Sequence, residues 1–154
     1  MSTASISVRP ARAGDLGAIA AFNAAMAVET EERELDRAVL ARGVTHAFED
    51  PARGRYFVAE SRGRVVGCLM VTREWSDWRD GWFWWIQSVY VAPEARGGGA
   101  YSALHGHVRE AAQAAGDVVG LRLYAERHNE RAQRTYRRLG MVETGYLLFE
   151  EMLV

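Results

Sequence analysis

The stretch from Val89 to Tyr101, which reads V-Y-V-A-P-E-A-R-G-G-G-A-Y, combines the residue types that bind a phosphate group. An apolar strand-type run ends before Pro93, which has no N–H to donate, and three glycines follow. The first four N–H groups of a helix lack internal partners, and glycines let an anion approach them closely. A helix is predicted after the glycines because apolar residues recur at helical spacing, at Leu104, Val108, Ala111 and Ala115. The order strand, glycine turn, helix therefore predicts phosphate binding.

Two common phosphate motifs do not fit this stretch. A P-loop needs Gly-Lys-Ser/Thr, and the chain contains no lysine. A dinucleotide fold places its glycines after the first strand, whereas these lie past the middle of the chain. The stretch resembles instead the Arg-x-x-Gly-x-Gly/Ala signature of the GNAT superfamily of acyl-CoA-dependent N-acyltransferases. The sixth position of that signature is usually small but is Tyr101 here, and the first five are Arg96, Gly97, Gly98, Gly99 and Ala100.

Length and composition indicate a single soluble α/β domain over residues 1–154. The hydrophobic content is 49%, the charged content is 25% and the net charge is −1, so neither nucleic acid nor an anionic membrane is expected as a partner. The single cysteine, Cys68, cannot form an internal disulfide, and we see no signal peptide or membrane-spanning run. A cytoplasmic location is therefore expected.

His105 and His107 diverge on a predicted helix, so no metal site is predicted.

Strand and helix patterns follow one another in the order β-α-α-β-β-β-α-β-α-β-β. Asp15 is expected to cap the first helix, which should run to about Met26. The acidic run Glu29–Glu34 follows, and then a second helix that ends before Pro51. Periodicity by itself predicts only an α/β domain. The predicted bounds that matter most for the site and the C-terminus are Trp82–Val91, Gly98–Ala115, Val119–Ala125, Met141–Tyr146 and Leu147–Leu153.

The resemblance implies the GNAT fold across essentially the whole chain. That fold is a mixed, twisted sheet with helices on both faces and a central pair of parallel strands that splay apart. Here the splayed pair would be Trp82–Val91 and Val119–Ala125. The resemblance also implies that the pantetheine arm of acetyl-CoA lies in the gap, bonded to backbone groups of Val89 and Val91.

A second motif follows the predicted strand Val119–Ala125. The spacing Asn129-x-x-Ala132-x-x-x-Tyr136-x-x-x-Gly140 resembles the family's Asn-x-x-Ala-x-x-x-Tyr-x-x-x-Gly-Phe, with Met141 in place of the phenylalanine. In a helix, Ala132 and Tyr136 share a face. The resemblance implies that Tyr136 reaches the sulfur of the cofactor and that Asn129 belongs to the cofactor site. A plain N-cap for Asn129 and a core aromatic for Tyr136 are the alternatives.

The implied reaction is direct acetyl transfer from acetyl-CoA to a primary amine through a tetrahedral intermediate, which backbone N–H groups would stabilise. Tyr136 would protonate the leaving thiolate, because a phenol with an ordinary pKa of about 10 is a neutral donor at pH 7. Glu126 is the first candidate for the base that deprotonates the amine. Its alternative is a solvated residue paired with Arg122 or Arg127. Gln87, placed by alternation on the face of Phe83, Trp85, Val89 and Val91, cannot act as a base.

The acceptor cannot be read from the sequence, and a small-molecule amine and a protein N-terminal amine both stay open. All five tryptophans lie between Trp75 and Trp85, where they could wall an acceptor site or form a core and a contact in a homodimer. The acidic run Glu29–Glu34 could attract an amine. A second hypothesis of a different class is a CoA-binding sensor or assembly module without catalysis. It stays open because Tyr101 departs from the signature and because the long strand offers Gln87, whereas members of the family often carry a glutamate on the fourth or fifth strand.

Overall fold

The computed structural model describes residues 5–154, so residues 1–4 of the predicted domain lie outside it. The chain divides into two compact units, one that ends at Leu123 and one that spans Tyr124–Val154, and each is described by itself. Whether one domain covers the whole chain stays a prediction. No helix among residues 5–154 combines the length and apolar character needed to cross a membrane. The helices and strands are β1 Ile6–Pro10, α1 Leu16–Glu31, α2 Arg37–Glu49, β2 Arg55–Ser61, β3 Arg64–Ser76, β4 Gly81–Val91, α3 Ala100–Ala115, β5 Val118–Arg122 and α4 Glu130–Arg138.

The first unit contains a five-stranded mixed sheet in the order β1-β2-β3-β4-β5. The first four strands pair antiparallel, and β4 and β5 pair in parallel. Side chains of successive strand residues point to opposite faces, so each strand contributes to two cores. Tyr56 and Val58 of β2 pack on the side of α1 and α2, whereas Phe57 and Ala59 pack on the side of α3. The predicted α/β fold with helices on both faces of a mixed sheet is confirmed.

Helix α3 is the amphipathic helix that the spacing after the glycines predicts. Its buried stripe includes Leu104 and Val108, both fully buried against the sheet face that carries Leu69 and Trp84. Helix α1 is longer than predicted and ends at Glu31, because the apolar pattern continues through Ala27 beyond Met26.

The second unit contains one helix, α4. Asn129 caps it, since its Oδ1 accepts a hydrogen bond from the backbone N–H of Ala132 at 3.2 Å. The helix ends in a Schellman motif in which Gly140 N–H bonds Arg137 O and Met141 N–H bonds Tyr136 O, each at 3.0 Å. Gly140 has a φ of 99°, a left-handed conformation that favours glycine.

The two strands predicted at Met141–Tyr146 and Leu147–Leu153 are wrong. The structure contains no strand within residues 141–154, and their side chains are exposed apart from the half-buried Met141. An apolar, strand-type composition records only a tendency to extend, and a strand forms only when a neighbouring strand accepts its backbone hydrogen bonds.

The prediction that Asp15 caps α1 through its side chain is also wrong. Its carboxylate accepts hydrogen bonds from both terminal guanidinium nitrogens of Arg9, at 2.7 and 3.1 Å, and from the N–H of Arg12 at 2.7 Å. Arg9 also bonds Glu60 of β2, with its Nη2 at 2.6 Å from the carboxylate. This ion-pair network fixes the start of α1 to the β1–β2 edge of the sheet, and Arg9 lowers the pKa of Asp15.

We expect Asp15→Asn to lower the free energy of unfolding by about 2 kcal/mol, because it removes a charge-assisted bond from a buried site. The pKa of Asp15 is lower in the folded chain than its ordinary value of about 3.9. This stabilisation is therefore complete above pH 3.9 and disappears as the pH falls through the lowered folded-state value. Urea unfolding at pH 7 and at low pH measures it. Asp36→Asn is the control, because asparagine preserves the N-cap bonds of α2. Equal effects of the two substitutions at pH 7 would contradict the assignment.

Candidate functional site

The glycine turn between β4 and α3 has a backbone that requires glycine at alternate positions. Gly97 and Gly99 have φ values of 83° and 87°, whereas Gly98 does not lie in that region. A Cβ on Gly97 or Gly99 would meet open space, so backbone conformation is what selects glycine there. A Cβ on Gly98 would lie 3.3 Å from the carbonyl oxygen of Ala95. The turn is therefore open on its outer side, where a ligand can approach the backbone.

Helix α3 begins directly after this turn, at Ala100. Its first internal hydrogen bond runs from Ala103 N–H to Gly99 O at 3.0 Å. The N–H groups of Gly99, Ala100 and Ser102 precede the donor of this bond and have no acceptor within the helix, and the helix dipole places partial positive charge there. These backbone groups are donors suited to a pyrophosphate, and the residues present fit an acyl-CoA at this position.

Arg96 is fixed by three neighbours rather than projecting freely toward the turn. Its Nε donates to the carbonyl oxygen of Val91 at 3.0 Å, and its Nη2 donates to Glu29 of α1 at 2.8 Å. The guanidinium lies over the ring of Tyr90, 5.3 Å from the centroid, and the Tyr90 hydroxyl donates to the second oxygen of Glu29 at 2.9 Å. Arg96 and Tyr90 together lower the pKa of Glu29. The charge of Arg96 is thus balanced by the carboxylate of Glu29.

This arrangement also changes the role of the acidic run between the first two helices. The sequence suggests that Glu29 attracts an amine, but its carboxylate is bound to Arg96 and Tyr90. Glu34 lines a cavity of about 170 Å³ at the α1–α2 connection, together with Ala24, Val28, Leu35 and Arg37.

Strands β4 and β5 separate as the fold class implies. Their pairing begins at Trp82 and Val118 and ends at Trp85 and Arg122. Strand β5 is shorter than the predicted Val119–Ala125, and within residues 5–154 no strand pairs with Ile86–Val91 on the β5 side. Val89 and Val91, the predicted backbone partners of the pantetheine arm, lie on this half of β4.

A β-bulge in β4 corrects the predicted faces of this strand. Met70 pairs with Gln87 and Cys68 pairs with Tyr90, so β4 holds one more residue than β3 between these pairs. Ser88 lies at the bulge with a φ of 52°, a left-handed conformation that is uncommon outside glycine.

The extra residue reverses the alternation after Gln87. Val89 and Val91 therefore join the core that contains Trp84 and Ile86, and they do not share the face of Gln87 as predicted. Gln87 donates from its Nε2 to the hydroxyl of Thr72 on β3. A bulge leaves no period-2 signature, so the sequence pattern could not locate it.

Tyr101, the residue that departs from the glycine signature, starts a line of side chains on α3. Its hydroxyl lies 3.0 Å from Nδ1 of the buried His105, whose Nε2 lies 3.2 Å from Nη2 of Arg109. Because a guanidinium only donates, Nε2 accepts, and Nδ1 carries the proton and donates to Tyr101. Burial and Arg109 lower the pKa of His105, which keeps the imidazole neutral. The sequence did not indicate this support for the first turn of α3.

The second motif lies in the second unit, and the structure confirms its local geometry. Asn129 caps α4, and Tyr136 is half-buried one turn after Ala132. Burial raises the pKa of Tyr136, so the phenol keeps its proton at neutral pH.

Glu126 also lies in the second unit, in the turn before α4. Its Oε2 accepts the N–H of His128 at 2.7 Å, and its carbonyl accepts the N–H of Asn129 at 3.0 Å. Arg122, a suggested ion-pair partner of Glu126, bonds Glu74 at 2.7 Å. The exposed carboxylate of Glu126 thus supports the local turn with one of its oxygens.

Cys68 is excluded as an acyl-carrying nucleophile. Its side chain is completely buried, and burial raises the pKa of its thiol to about 12. No group of three or more His, Cys, Asp or Glu residues that could hold a metal ion occurs in the described part of the chain.

Comparison with known proteins identifies the family. Residues 19–141 match the model of the acetyltransferase (GNAT) family. The chain therefore belongs to the GNAT acetyltransferase family, and the predicted family is confirmed. It is similar to a possible acetyltransferase from Clostridium difficile 630, with 42% identity and a TM-score of 0.89 over 97% of this chain and 98% of the other. No curated protein matched the chain at a significant level.

Two more distant structures share the fold. One is a predicted acetyltransferase from Clostridium acetobutylicum determined with acetyl-CoA, with 15% identity and a TM-score of 0.77 over 97% of each chain. The other is the aminoglycoside N-acetyltransferase AAC(6')-Iy in complex with CoA, with 14% identity and a TM-score of 0.79 over 98% of this chain and 97% of the other.

The glycine turn can be tested with two substitutions at one position. Gly99→Ala and Gly99→Glu impose the same left-handed backbone strain, about 1–2 kcal/mol, but only glutamate adds a negative charge. We expect both to lower the melting temperature similarly. CoA affinity should stay within a few-fold for Gly99→Ala and fall roughly tenfold or more for Gly99→Glu, because a carboxylate would face the pyrophosphate. Calorimetric titration with CoA measures this, and equal affinities of the two variants would remove the phosphate site from this turn.

Proposed function

We propose that this protein is an N-acetyltransferase that moves the acetyl group of acetyl-CoA directly to a primary amine. The observation that carries the proposal is the glycine turn at the N-terminus of α3, next to the half of β4 that β5 leaves unpaired. Membership of the GNAT acetyltransferase family supports acetyl-CoA as the acetyl donor.

The cofactor site we propose has three parts. Val89 and Val91 would offer backbone groups to the pantetheine arm, and residues 96–101 would hold the pyrophosphate through N–H groups. Asn129 would contribute from the start of α4. Acetyl-CoA supplies an activated thioester carbonyl, and N–H groups of β4 beside the gap would stabilise negative charge on its oxygen.

We assign the proton transfers to Tyr136 and Glu126. Burial keeps the Tyr136 phenol protonated, which suits a donor to a leaving thiolate. Glu126 has a carboxylate oxygen beyond the one that bonds His128, and this oxygen would accept the proton of the amine. Transfer is direct in this proposal, since the buried thiol of Cys68 is the chain's only cysteine and does not suit an acyl-enzyme.

The acceptor is a small-molecule amine or the N-terminal amine of a protein. The cavity at the α1–α2 connection is lined by both Glu34 and Arg37, so its charge does not favour either class of acceptor. A homodimer and a cytoplasmic location are further predictions of the sequence.

A release assay tests the function. Purified protein with acetyl-CoA and a panel of primary amines, including peptides with free N-termini, should release CoA only when an acceptor amine is present. Mass spectrometry should find the acceptor heavier by one acetyl group and the protein unmodified. Tight CoA binding without turnover on any amine would favour the alternative of a CoA-binding sensor or assembly module.

Tyr136→Phe tests the proposed acid. The ring is preserved, so stability and CoA affinity should barely change, while kcat should fall by roughly 10²–10⁴-fold with an unchanged KM for acetyl-CoA. The loss should shrink with an acyl donor whose thiol is more acidic, because that leaving group needs less protonation. A variant with full kcat would make Tyr136 a packing residue.

Glu126→Gln is the companion variant, because it separates base from acid. It should lower the rate and flatten the rise of activity toward alkaline pH without altering the response to thiol acidity. A profile of unchanged shape would move the base to another carboxylate or to water.

A further inference from the structure

Glu29, near the end of α1, bonds both the end of β4 and the start of the glycine turn. One oxygen of its carboxylate accepts the hydroxyl of Tyr90 at 2.9 Å, and the other accepts Nη2 of Arg96 at 2.8 Å. Arg96 in turn donates from its Nε to the carbonyl oxygen of Val91 at 3.0 Å. The carboxylate therefore joins α1 to β4 and to the residue directly before Gly97.

Helix α1 is a firm support for this contact because other bonds and contacts also hold it. At its start, Asp15 bonds Arg9 of β1. Phe22, two turns before Glu29 on the same face of the helix, packs against the ring of Tyr90 with a centroid distance of 5.3 Å. Glu29 can therefore leave the contact only by a shift of the whole helix or by a change of its own rotamer.

The segment that follows Arg96 has much conformational freedom to lose when a ligand binds. Gly97, Gly98 and Gly99 are consecutive, and glycine loses more freedom on ordering than any other residue. Ala100, which is buried in the core beside the sheet, fixes the far end of this segment. The bonds of Arg96 fix the near end. A turn that is held at both ends before a ligand arrives loses less freedom when it binds that ligand.

We propose that Glu29 is a positioning residue for the pyrophosphate of acetyl-CoA. It acts through Arg96, whose fixed position orders the backbone N–H groups of the glycine turn before the cofactor binds. This inference rests on the proposed function, because it takes the glycine turn as the cofactor site. Glu29, which the sequence suggests as an attraction for the acceptor amine, is thereby assigned to the cofactor.

The charge and the positioning effect of this carboxylate predict opposite results. A negative charge near the turn would repel an anion, so its removal would tighten binding. Arg96 does not have to exchange Glu29 for a phosphate, however, because a guanidinium has five N–H donors and Val91 and Glu29 use two of them. Arg96 also balances the charge of Glu29 and lowers its pKa, which keeps it ionised and bound. We therefore expect the positioning effect to exceed the charge effect.

Calorimetric titration of CoA into Glu29→Gln measures this effect. The affinity should fall roughly fivefold or more, because about one residue of backbone must then be ordered on binding. The melting temperature should change by less than about 3 °C, since an exposed ion pair contributes little to global stability. In the acetyl-transfer assay, KM for acetyl-CoA should rise while kcat stays within about twofold of wild type.

Two comparisons separate position from charge. Glu31→Gln removes an exposed carboxylate from the same end of α1, and it should change CoA affinity by less than about twofold. In a chain that already carries Arg96→Met, Glu29→Gln should have little further effect, because Glu29 acts through Arg96. A full effect of Glu29→Gln in that chain would contradict the proposed route.

Backbone order parameters of Gly97–Gly99 in the ligand-free protein test the positioning without any cofactor. Glu29→Gln should lower them, and Glu31→Gln should not. Unchanged order parameters in Glu29→Gln, or a CoA affinity that is unchanged or higher, would overturn the proposal while CoA binding by the wild-type chain upholds the cofactor site. A wild-type chain that does not bind CoA would remove the cofactor site at this turn and the positioning role with it.

Discussion

The early end of hydrogen bonding between β4 and β5 is the constraint on which the site depends. The two strands pair only from Trp82 to Trp85 on β4, although that strand continues to Val91. Buried backbone donors and acceptors must find partners, and a β-strand left unpaired on one side is a strong site for an extended ligand. The bulge at Ser88 lies in this half of β4 and turns Val89 and Val91 toward the α3 side of the sheet.

Backbone groups are also the main donors at the proposed anion site. Arg96 is the obvious cation of the glycine signature, yet its guanidinium bonds Val91 O and Glu29 and so ties the end of β4 to α1. Positive potential at the turn then comes mainly from N–H groups at the start of α3 and from the helix dipole. This explains why Tyr101 is tolerated where the signature is usually small. Its backbone N–H is unchanged, and its hydroxyl bonds His105 one turn along the helix.

Sequence reasoning succeeded where a feature is local. The glycine turn, the amphipathic α3, the cap at Asn129 and the end of α4 at Gly140 each depend on residues within a few positions. It failed where the decisive neighbour is distant in the chain. The sequence predicts a cap at Asp15 because the ion pair with Arg9 on β1 leaves no periodic signal, and the bulge at Ser88 depends on the register with β3.

The C-terminal residues show the same limit of prediction from local sequence. Their composition indicates a tendency to extend, but the structure contains no strand within residues 141–154, because a strand also needs a neighbouring strand that accepts its hydrogen bonds. The roles assigned to Tyr136, Glu126 and Asn129 are likewise predictions, because chemical role depends on the position of the ligand and not only on the local helix.

In the mechanism that we propose, backbone groups recognise the cofactor and stabilise negative charge on the thioester oxygen. A backbone N–H group does not depend on the side chain that the residue carries. The sequence is therefore restricted mainly where the backbone adopts an unusual conformation, as at Gly97, Gly99 and Gly140. Side chains are then needed for the two proton transfers, because a backbone amide is not an effective acid or base near neutral pH. A buried phenol such as Tyr136 suits the transfer to a thiolate, and a carboxylate suits the transfer from an amine. In this proposal, acceptor choice is left to exposed residues such as those of the α1–α2 connection, which can change without disturbing the sheet or the glycine turn.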